Sequence, residues 1–210
     1  MYVGRIVGIG RTHAGKNVAV YRVSSRSFPN RRAVSSERGD VVCIVPRDPT
    51  ETTDNPYVSY TCAQSSGNWL VVSNGSHTES IMRLLRDGIP PLEALRMTLF
   101  AFGYEKDEFS TPRIAGVVSN TADKGWLGII RNDGTEVREV DLCRGWIRYV
   151  ATYQHVAISD TQKVVCTETE SAKIARAVID APEWLEFDKP VSSVAGVASS
   201  PGFVLRTYDK

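Results

Sequence analysis

Runs of apolar, β-branched residues broken by turn-forming clusters dominate the first third of the chain. Residues 3–9 and 18–23 form two such runs, separated by His13-Ala14-Gly15-Lys16-Asn17. Short runs of this kind bounded by Gly, Pro and Asn read as strands. Residues 41–45 repeat the pattern and end at Pro46, residues 46–56 read as a loop, and 57–62 and 69–72 predict two more strands. The period then lengthens. Ile81, Leu84 and Leu85 recur at helical spacing before Gly88, and Ser76 with Glu79 predicts a capping box ahead of them. Pro90 and Pro91 introduce a second helix, where Leu92, Leu95, Met97, Leu99 and Phe100 predict a broad apolar face and Gly103 a stop. Strands resume at 114–118 and 126–130, and Asn132-Asp133-Gly134 predicts a hairpin turn into 137–140. Residues 146–152 continue the sheet. A third helix is expected to start near Thr167 or Thr169 and to carry Ile174, Ala175, Val178 and Ile179, and 196–208 reads as two short strands around Ser199-Ser200-Pro201-Gly202.

The order is therefore strands, two helices, strands, helix, strands. Alternating β-α-β units, the mark of a parallel sheet, are absent, so the pattern predicts an α+β fold of layered, mostly antiparallel sheets. Without repeats or a linker, residues 1–210 read as one domain.

Composition narrows the function classes. Apolar residues make up 42% and charged residues 23% of the 210, close to the globular average. A chain of this length buries roughly 70% of its unfolded surface, so it needs neither disulfides nor a structural metal. With 25 basic and 24 acidic side chains the net charge is +1, which argues against nucleic acid as a partner, because phosphate neutralisation requires a basic excess. No apolar run approaches the roughly 20 residues of a membrane span, and the Met1-Tyr2-Val3-Gly4-Arg5 start does not resemble a signal peptide. Cys43, Cys62, Cys143 and Cys166 are scattered, as are His13, His77 and His155. They lack the close spacing of zinc ligands, so the cysteines are expected to be reduced, mostly in the core, and the protein cytoplasmic.

Three segments can carry chemistry. Ser24 to Arg32 places Arg26, Arg31 and Arg32 on a stretch stiffened by Pro29, and guanidinium forks suit phosphate and carbonyl oxygens. On physics alone, a solvated loop with scattered charge is the commoner outcome. Asn74-Gly75-Ser76-His77-Thr78 lies at a strand-to-helix junction, where free backbone donors bind anions, although every such junction has a cap. Glu105, Asp107 and Glu108 follow the C-terminal end of a helix, where the dipole disfavours negative charge and can raise a carboxyl pKa. Tyr57 and Tyr60 are spaced so that they cannot share one face of a strand.

Taken together, Arg22 to Arg31, Asn55-Pro56-Tyr57-Val58-Ser59-Tyr60, Val72 to Thr78, Tyr104 to Glu108 and Thr111-Pro112-Arg113-Ile114 resemble the archaeal-type IMP cyclohydrolase family. The likeness runs from Met1 to about Ile114 and is looser beyond. It implies an N-terminal-nucleophile-hydrolase-like fold, a four-layer αββα sandwich of antiparallel sheets, assembled as a homo-oligomer, a tetramer. It also implies closure of 5-formamidoimidazole-4-carboxamide ribonucleotide (FAICAR) to inosine monophosphate (IMP), with no cofactor and no metal. The chain opens Met1-Tyr2, without the nucleophilic Thr, Ser or Cys of that wider fold, so hydrolase chemistry is expected to be missing.

By the same resemblance, Arg31, Tyr60 and Glu105 sit at the reacting centre. Arg31 and the Tyr60 hydroxyl suit the oxyanion and Glu105 suits proton transfer, while the choice between Tyr60 and Glu105 for water loss stays open. Arg26, Asn30, Asn74, Ser76 and Arg113 are the candidates for holding phosphate, ribose and base. Two other readings remain: an amidohydrolase of the same fold, and a purine-nucleotide-binding module without catalysis.

Overall fold

A computed structural model describes residues 1–51, 55 and 57–210. Residues 52–54 and 56, part of the expected 46–56 loop and of the Asn55-to-Tyr60 motif, lie outside the described residues.

The strands are β1 (Arg5–Arg11), β2 (Asn17–Ser24), β3 (Arg31–Ser35), β4 (Val41–Pro46), β5 (Tyr60–Ser66) and β6 (Trp69–Ser73) before the first helices. After α1 (His77–Arg86) and α2 (Pro91–Phe102) come β7 (Arg113–Ser119), β8 (Lys124–Arg131), β9 (Gly134–Asp141), β10 (Trp146–Ala151) and β11 (Lys163–Val165). The helix α3 (Ser171–Asp180) precedes β12 (Pro190–Ala198) and β13 (Phe203–Asp209). Among the described residues the strands form two sheets, in the orders β11-β10-β1-β2-β12-β13 and β3-β4-β5-β6-β7-β8-β9. Every pairing between these strands is antiparallel.

Side chains alternating along each strand build three apolar layers. Val7 and Ile9 of β1 and Ala19, Tyr21 and Val23 of β2 meet Ile44, Cys62, Leu70 and Ile114 of the other sheet in a core between the sheets. Ile6, Val18 and Val20 point the opposite way, against Ile174, Ala175 and Val178 of α3. On the far side of the other sheet, Val71, Ala115 and Val117 meet Ile81, Met82 and Leu85 of α1 and Leu95 of α2. The result is an α+β sandwich of two antiparallel sheets with helices on the outer face of each. A fully buried Ile, Val or Leu contributes about 1.5–3 kcal/mol, so these layers supply the driving force for folding.

Arg22 interrupts the outer layer of β2. It is fully buried, with Nη1 donating to Val178 O at 2.8 Å and Trp184 O at 3.1 Å, Nη2 to Phe187 O, and Nε to Ser24 Oγ at 3.2 Å. These acceptors include a carbonyl of the last turn of α3, which the helix itself leaves without a partner. Burial lowers the guanidinium pKa to about 10, with Asp188 opposing.

Several expectations need correction. Ser76 precedes α1 in helical geometry and makes no side-chain cap bond. Glu79 instead accepts from Thr61 Oγ1 at 2.8 Å, so the anticipated capping box is absent. On α2, Leu95 and Leu99 are buried, but Met97 and Phe100 are 53% and 81% exposed, so the buried stripe is narrower than its composition implies. The strand β3 begins inside the segment read as a stiff loop, because Arg31-Arg32 masks an alternating buried–exposed pattern. The helix α3 starts at Ser171, later than anticipated, after an extended Glu170. Of the free cysteines only Cys62 and Cys166 are buried; Cys43 is half-buried and Cys143 exposed. No described helix is long and apolar enough to cross a membrane.

Candidate active site

The inter-sheet core ends in polar side chains where β1 starts and β2 finishes. Arg5 extends the inward row of Val7 and Ile9, and Tyr21 lies on the paired strand. Beyond them opens a cavity of about 270 Å³ lined by Tyr2, Arg5, Phe28, Arg31, Glu105 and Tyr153, among others. Small-molecule sites span roughly 300–1,000 Å³, so this cavity is near the lower end of that range.

Glu105 reaches the cavity through a closed turn. The helix α2 stops at Gly103, whose φ of 62° lies in the left-handed region that a side chain would oppose. Glu105 N then donates to Thr111 O at 2.8 Å, and the Asp107 carboxylate accepts from Thr111 N at 2.8 Å and Thr111 Oγ1 at 2.6 Å. This turn drives Glu105 inward until its side chain is 1% exposed. Arg5 Nη2 donates to Oε2 at 2.8 Å, Asn74 Nδ2 to Oε1 at 3.3 Å, and Arg113 Nη1 lies 3.7 Å from Oε1. Burial pushes the Glu105 carboxyl above its ordinary range, while Arg5 and Arg113 oppose the rise and Asp107 adds to it. The anticipated direction holds, but burial rather than the helix dipole is the leading cause.

Arg31 opens β3 on the facing wall. Its Nε donates to Phe28 O at 3.0 Å and its Nη1 to Tyr57 O at 3.1 Å, which orients the guanidinium between two loops. Ser25 Oγ accepts from Phe28 N at 2.9 Å and Pro29 O from Arg31 N at 2.9 Å, so the 25–31 turn is braced by its own hydrogen bonds. Tyr60 lies behind this wall at the start of β5. It is buried, its hydroxyl is 2.6 Å from the Tyr21 hydroxyl, and the two rings meet edge to face. Burial raises its pKa, and Arg31 and Arg5 work against the rise. Arg31 and Glu105 thus share the cavity, and Tyr60 couples to it through Arg5 and Arg31 without lining it.

The remaining candidates separate. Arg26 stacks over the Tyr2 ring at 4.0 Å, at the cavity rim. Asn30 lines an adjoining depression that shares Ser27, Phe28 and Arg31 with the cavity. Asn74 is buried; besides bonding Glu105, it donates to Pro112 O at 3.0 Å and accepts from Ile114 N at 2.8 Å. Arg113 packs over Phe102 beside Glu105. Its close approach depends on Gly75, where a Cβ would sit 2.8 Å from Arg113 Nη1. Ser76 is exposed and does not line the cavity.

A family model described as IMP cyclohydrolase-like protein matches residues 2–202. The chain belongs to this family. A protein of Methanothrix thermoacetophila named IMP cyclohydrolase is 43% identical over 210 residues, covering 100% of this chain and 99% of the relative. Proteins of the same name from Methanocella arvoryzae and Methanococcus aeolicus are each 39% identical, covering 100% and 91% of this chain and 98% and 92% of their own lengths.

Within this IMP cyclohydrolase-like chain, the structure adds residues that the sequence did not single out. Arg5 is the hub, with its side chain 12% exposed. Burial opposes its charge, yet Glu105, followed by Tyr60 and Tyr21, carries its pKa above the ordinary value. Its Nε is buried and, among the described residues, without a partner. Tyr2 and Tyr153 stack at 5.6 Å, and Phe109 meets Tyr153 edge to face, giving the cavity an aromatic wall. Arg5 was legible only as the polar end of an apolar run. Glu105, the partner that gives it meaning, lies 100 residues away.

Proposed function

We propose that this chain is an IMP cyclohydrolase, closing FAICAR to IMP with release of water. The observation that carries the reading is the ion-paired, buried Glu105 lining one cavity together with Arg31, in a chain similar over its full length to proteins of that name. The two-sheet sandwich supports assignment to the N-terminal-nucleophile-hydrolase-like fold, carried by a single domain over 1–210. Exposed Met97 and Phe100 on α2 offer an apolar face for the expected homo-oligomer, a tetramer.

Closure requires the carboxamide nitrogen to attack the formyl carbon. That nitrogen is a weak nucleophile, because its lone pair is delocalised into the carbonyl. Holding the two groups in contact is worth about 7–11 kcal/mol in favourable cases. The aromatic wall of Tyr2 and Tyr153 suits a planar heterocycle, and Arg26, Asn30 and Arg113 are candidates for its phosphate and ribose. As the C–N bond forms, the formyl π electrons move to oxygen, where Arg31 donates a hydrogen bond. Glu105, as carboxylate, takes the amide proton. Glu105 returns that proton to the oxyanion; the C–O bond then breaks as the ring C=N bond forms, and the hydroxyl leaves as water with the proton lost from the former formamide nitrogen, relayed by Glu105 or by Tyr60. All atoms of product and water come from the substrate, so no co-reactant is consumed.

The direct test is spectrophotometric: purified protein is given FAICAR and the absorbance of the purine product is followed. Conversion supports the reading. Binding of IMP without any absorbance change would reduce the chain to a nucleotide-binding module.

A further inference from the structure

A second polar site lies at the opposite end of the strands that build the cavity. The strand β2 begins at Asn17, next to Lys16, and ends at Ser24, next to the cavity-lining Ser25. At about 3.3 Å per residue, its length separates the two ends by roughly 25 Å. At the Lys16 end a groove of about 290 Å³ runs between the N-terminus of α3, the end of β12 and the start of β13.

Four features of this groove point to an anion. The first turn of α3 has no side-chain cap. Its first intrahelical bond from the N-terminal end runs from Ile174 N to Glu170 O, so the preceding amides of the turn face outward as donors. Ser171, 6% exposed, lines the groove, and among the described residues its hydroxyl meets no hydrogen-bond partner. Lys16 and Arg206 both line the groove; among the described residues neither meets a carboxylate, and Arg206 Nη1 donates to the Leu205 carbonyl at 2.7 Å. Glu170, the only acid in the lining among the described residues, is occupied by Lys173 Nζ at 2.7 Å. A helix start would ordinarily be satisfied by its own cap, and free cations on a nearly neutral protein ordinarily find acids. Here the helix start lacks a cap and the two cations lack acids, beside a serine that is 6% exposed.

We propose that the α3 groove is a second anion site, taking a phosphate dianion or the phosphoryl end of a small phosphorylated metabolite, separate from the cavity around Glu105. The amides of residues 171–173 and the Ser171 hydroxyl hold the phosphoryl oxygens, and Lys16 and Arg206 neutralise its charge. Val197, Ala198 and Val204 give the groove an apolar floor for whatever the phosphate carries.

The probes are inorganic phosphate and ribose 5-phosphate, titrated into 15N-labelled full-length protein with the cavity saturated by IMP. Potassium chloride at equal ionic strength is the control. The expected result is saturable shifts at the amides of 171–173 with both probes, tighter for ribose 5-phosphate if the floor contributes. Lys16→Ala with Arg206→Ala should weaken binding about tenfold, the scale of two exposed charges and a helix terminus. Ser171→Ala should weaken it less, with the fold unchanged in both variants. Shifts that match the chloride control, that fail to saturate, or that persist undiminished in the double variant would overturn the site. None of these outcomes bears on turnover in the cavity.

Discussion

Arg5 and Arg22 lie on adjacent strands, one register position apart, since Arg5 pairs with Val23 and Ile6 with Arg22. Both are arginines buried in an apolar sandwich, and they have opposite fates. Arg22 points outward under α3, where carbonyl oxygens and Ser24 occupy all three of its guanidinium nitrogens and burial lowers its pKa to about 10. Arg5 points inward and meets a carboxylate, its pKa rises, and among the described residues its Nε has no partner beside an open cavity. A fully satisfied buried cation holds structure together. A buried cation with spare donors and an anionic partner is arranged for chemistry, because groups pre-aligned in a dry site need no reorganisation when charge develops.

The contrast can be broken most forcefully at Arg22. Arg22→Met removes every donor serving Val178, Trp184 and Phe187, and each buried acceptor left unpaired costs about 1–3 kcal/mol. Urea unfolding should therefore show a loss of about 3 kcal/mol or more, with kcat of the folded fraction near normal. A stable Arg22→Met variant with impaired turnover would invert the two roles. On the other side of the sheet, Glu105→Gln and Tyr60→Phe should each lower kcat at least about 100-fold, equal to about 2.7 kcal/mol of barrier, while the protein still folds with a lower melting temperature, because Arg5 loses its buried counter-charge and the Tyr21 hydroxyl a buried partner. Near-normal turnover in either variant removes that residue from the mechanism.

A smaller effect sharpens the comparison through a histidine. His77 is fully buried at the first turn of α1, with Nε2 3.1 Å from Ile114 O and Nδ1 without a partner among the described residues. Burial, then Arg113, lowers its pKa to about 3 from 6.5. Arg113 therefore opposes the effect of burial on Glu105 and reinforces it on His77. The folded state resists protonation of His77 and the unfolded state does not. Its contribution to stability is thus complete above pH 6.5 and is lost as pH falls toward about 3, by about 1.4 kcal/mol per pH unit. Glu105, with its folded pKa raised, acts with the opposite sign, since its folded form takes up a proton first as pH falls. The acid-side slope should accordingly be steeper in Glu105→Gln than in the parent chain; equal slopes would show that the two groups do not oppose each other. Smallest of all, Ser76→Ala should change stability by less than about 0.5 kcal/mol, because its hydroxyl caps nothing. A loss of about 1 kcal/mol would restore the capping role that its position suggested.

Most of the sheet architecture was readable in the chain, because alternation and turn residues are local signals. The Asn132-Asp133 turn joins β8 to β9 with Arg131 opposite Gly134, as its composition predicts. The misses share a physical origin. Arg31 and Arg32 hid β3, because charged residues weight a pattern toward loop even when one of them points inward. Met97 and Phe100 look like core until the buried face of the helix is known to be Ala94, Leu95, Thr98 and Leu99. The site was legible in pieces. Arg31 and Glu105 were singled out and share the cavity, whereas Arg5 and the tyrosine wall depend on pairings between distant parts of the chain that no local pattern encodes.

The central claim is that Arg5 holds a buried Glu105 ready to accept a proton. The measurement is the pH profile of kcat/KM for Arg5→Gln beside the unaltered chain. Arg5 works against the burial that raises the Glu105 pKa, so its removal should move the acid limb to higher pH and lower the plateau. An acid limb that stays in place while the protein remains folded would contradict the account.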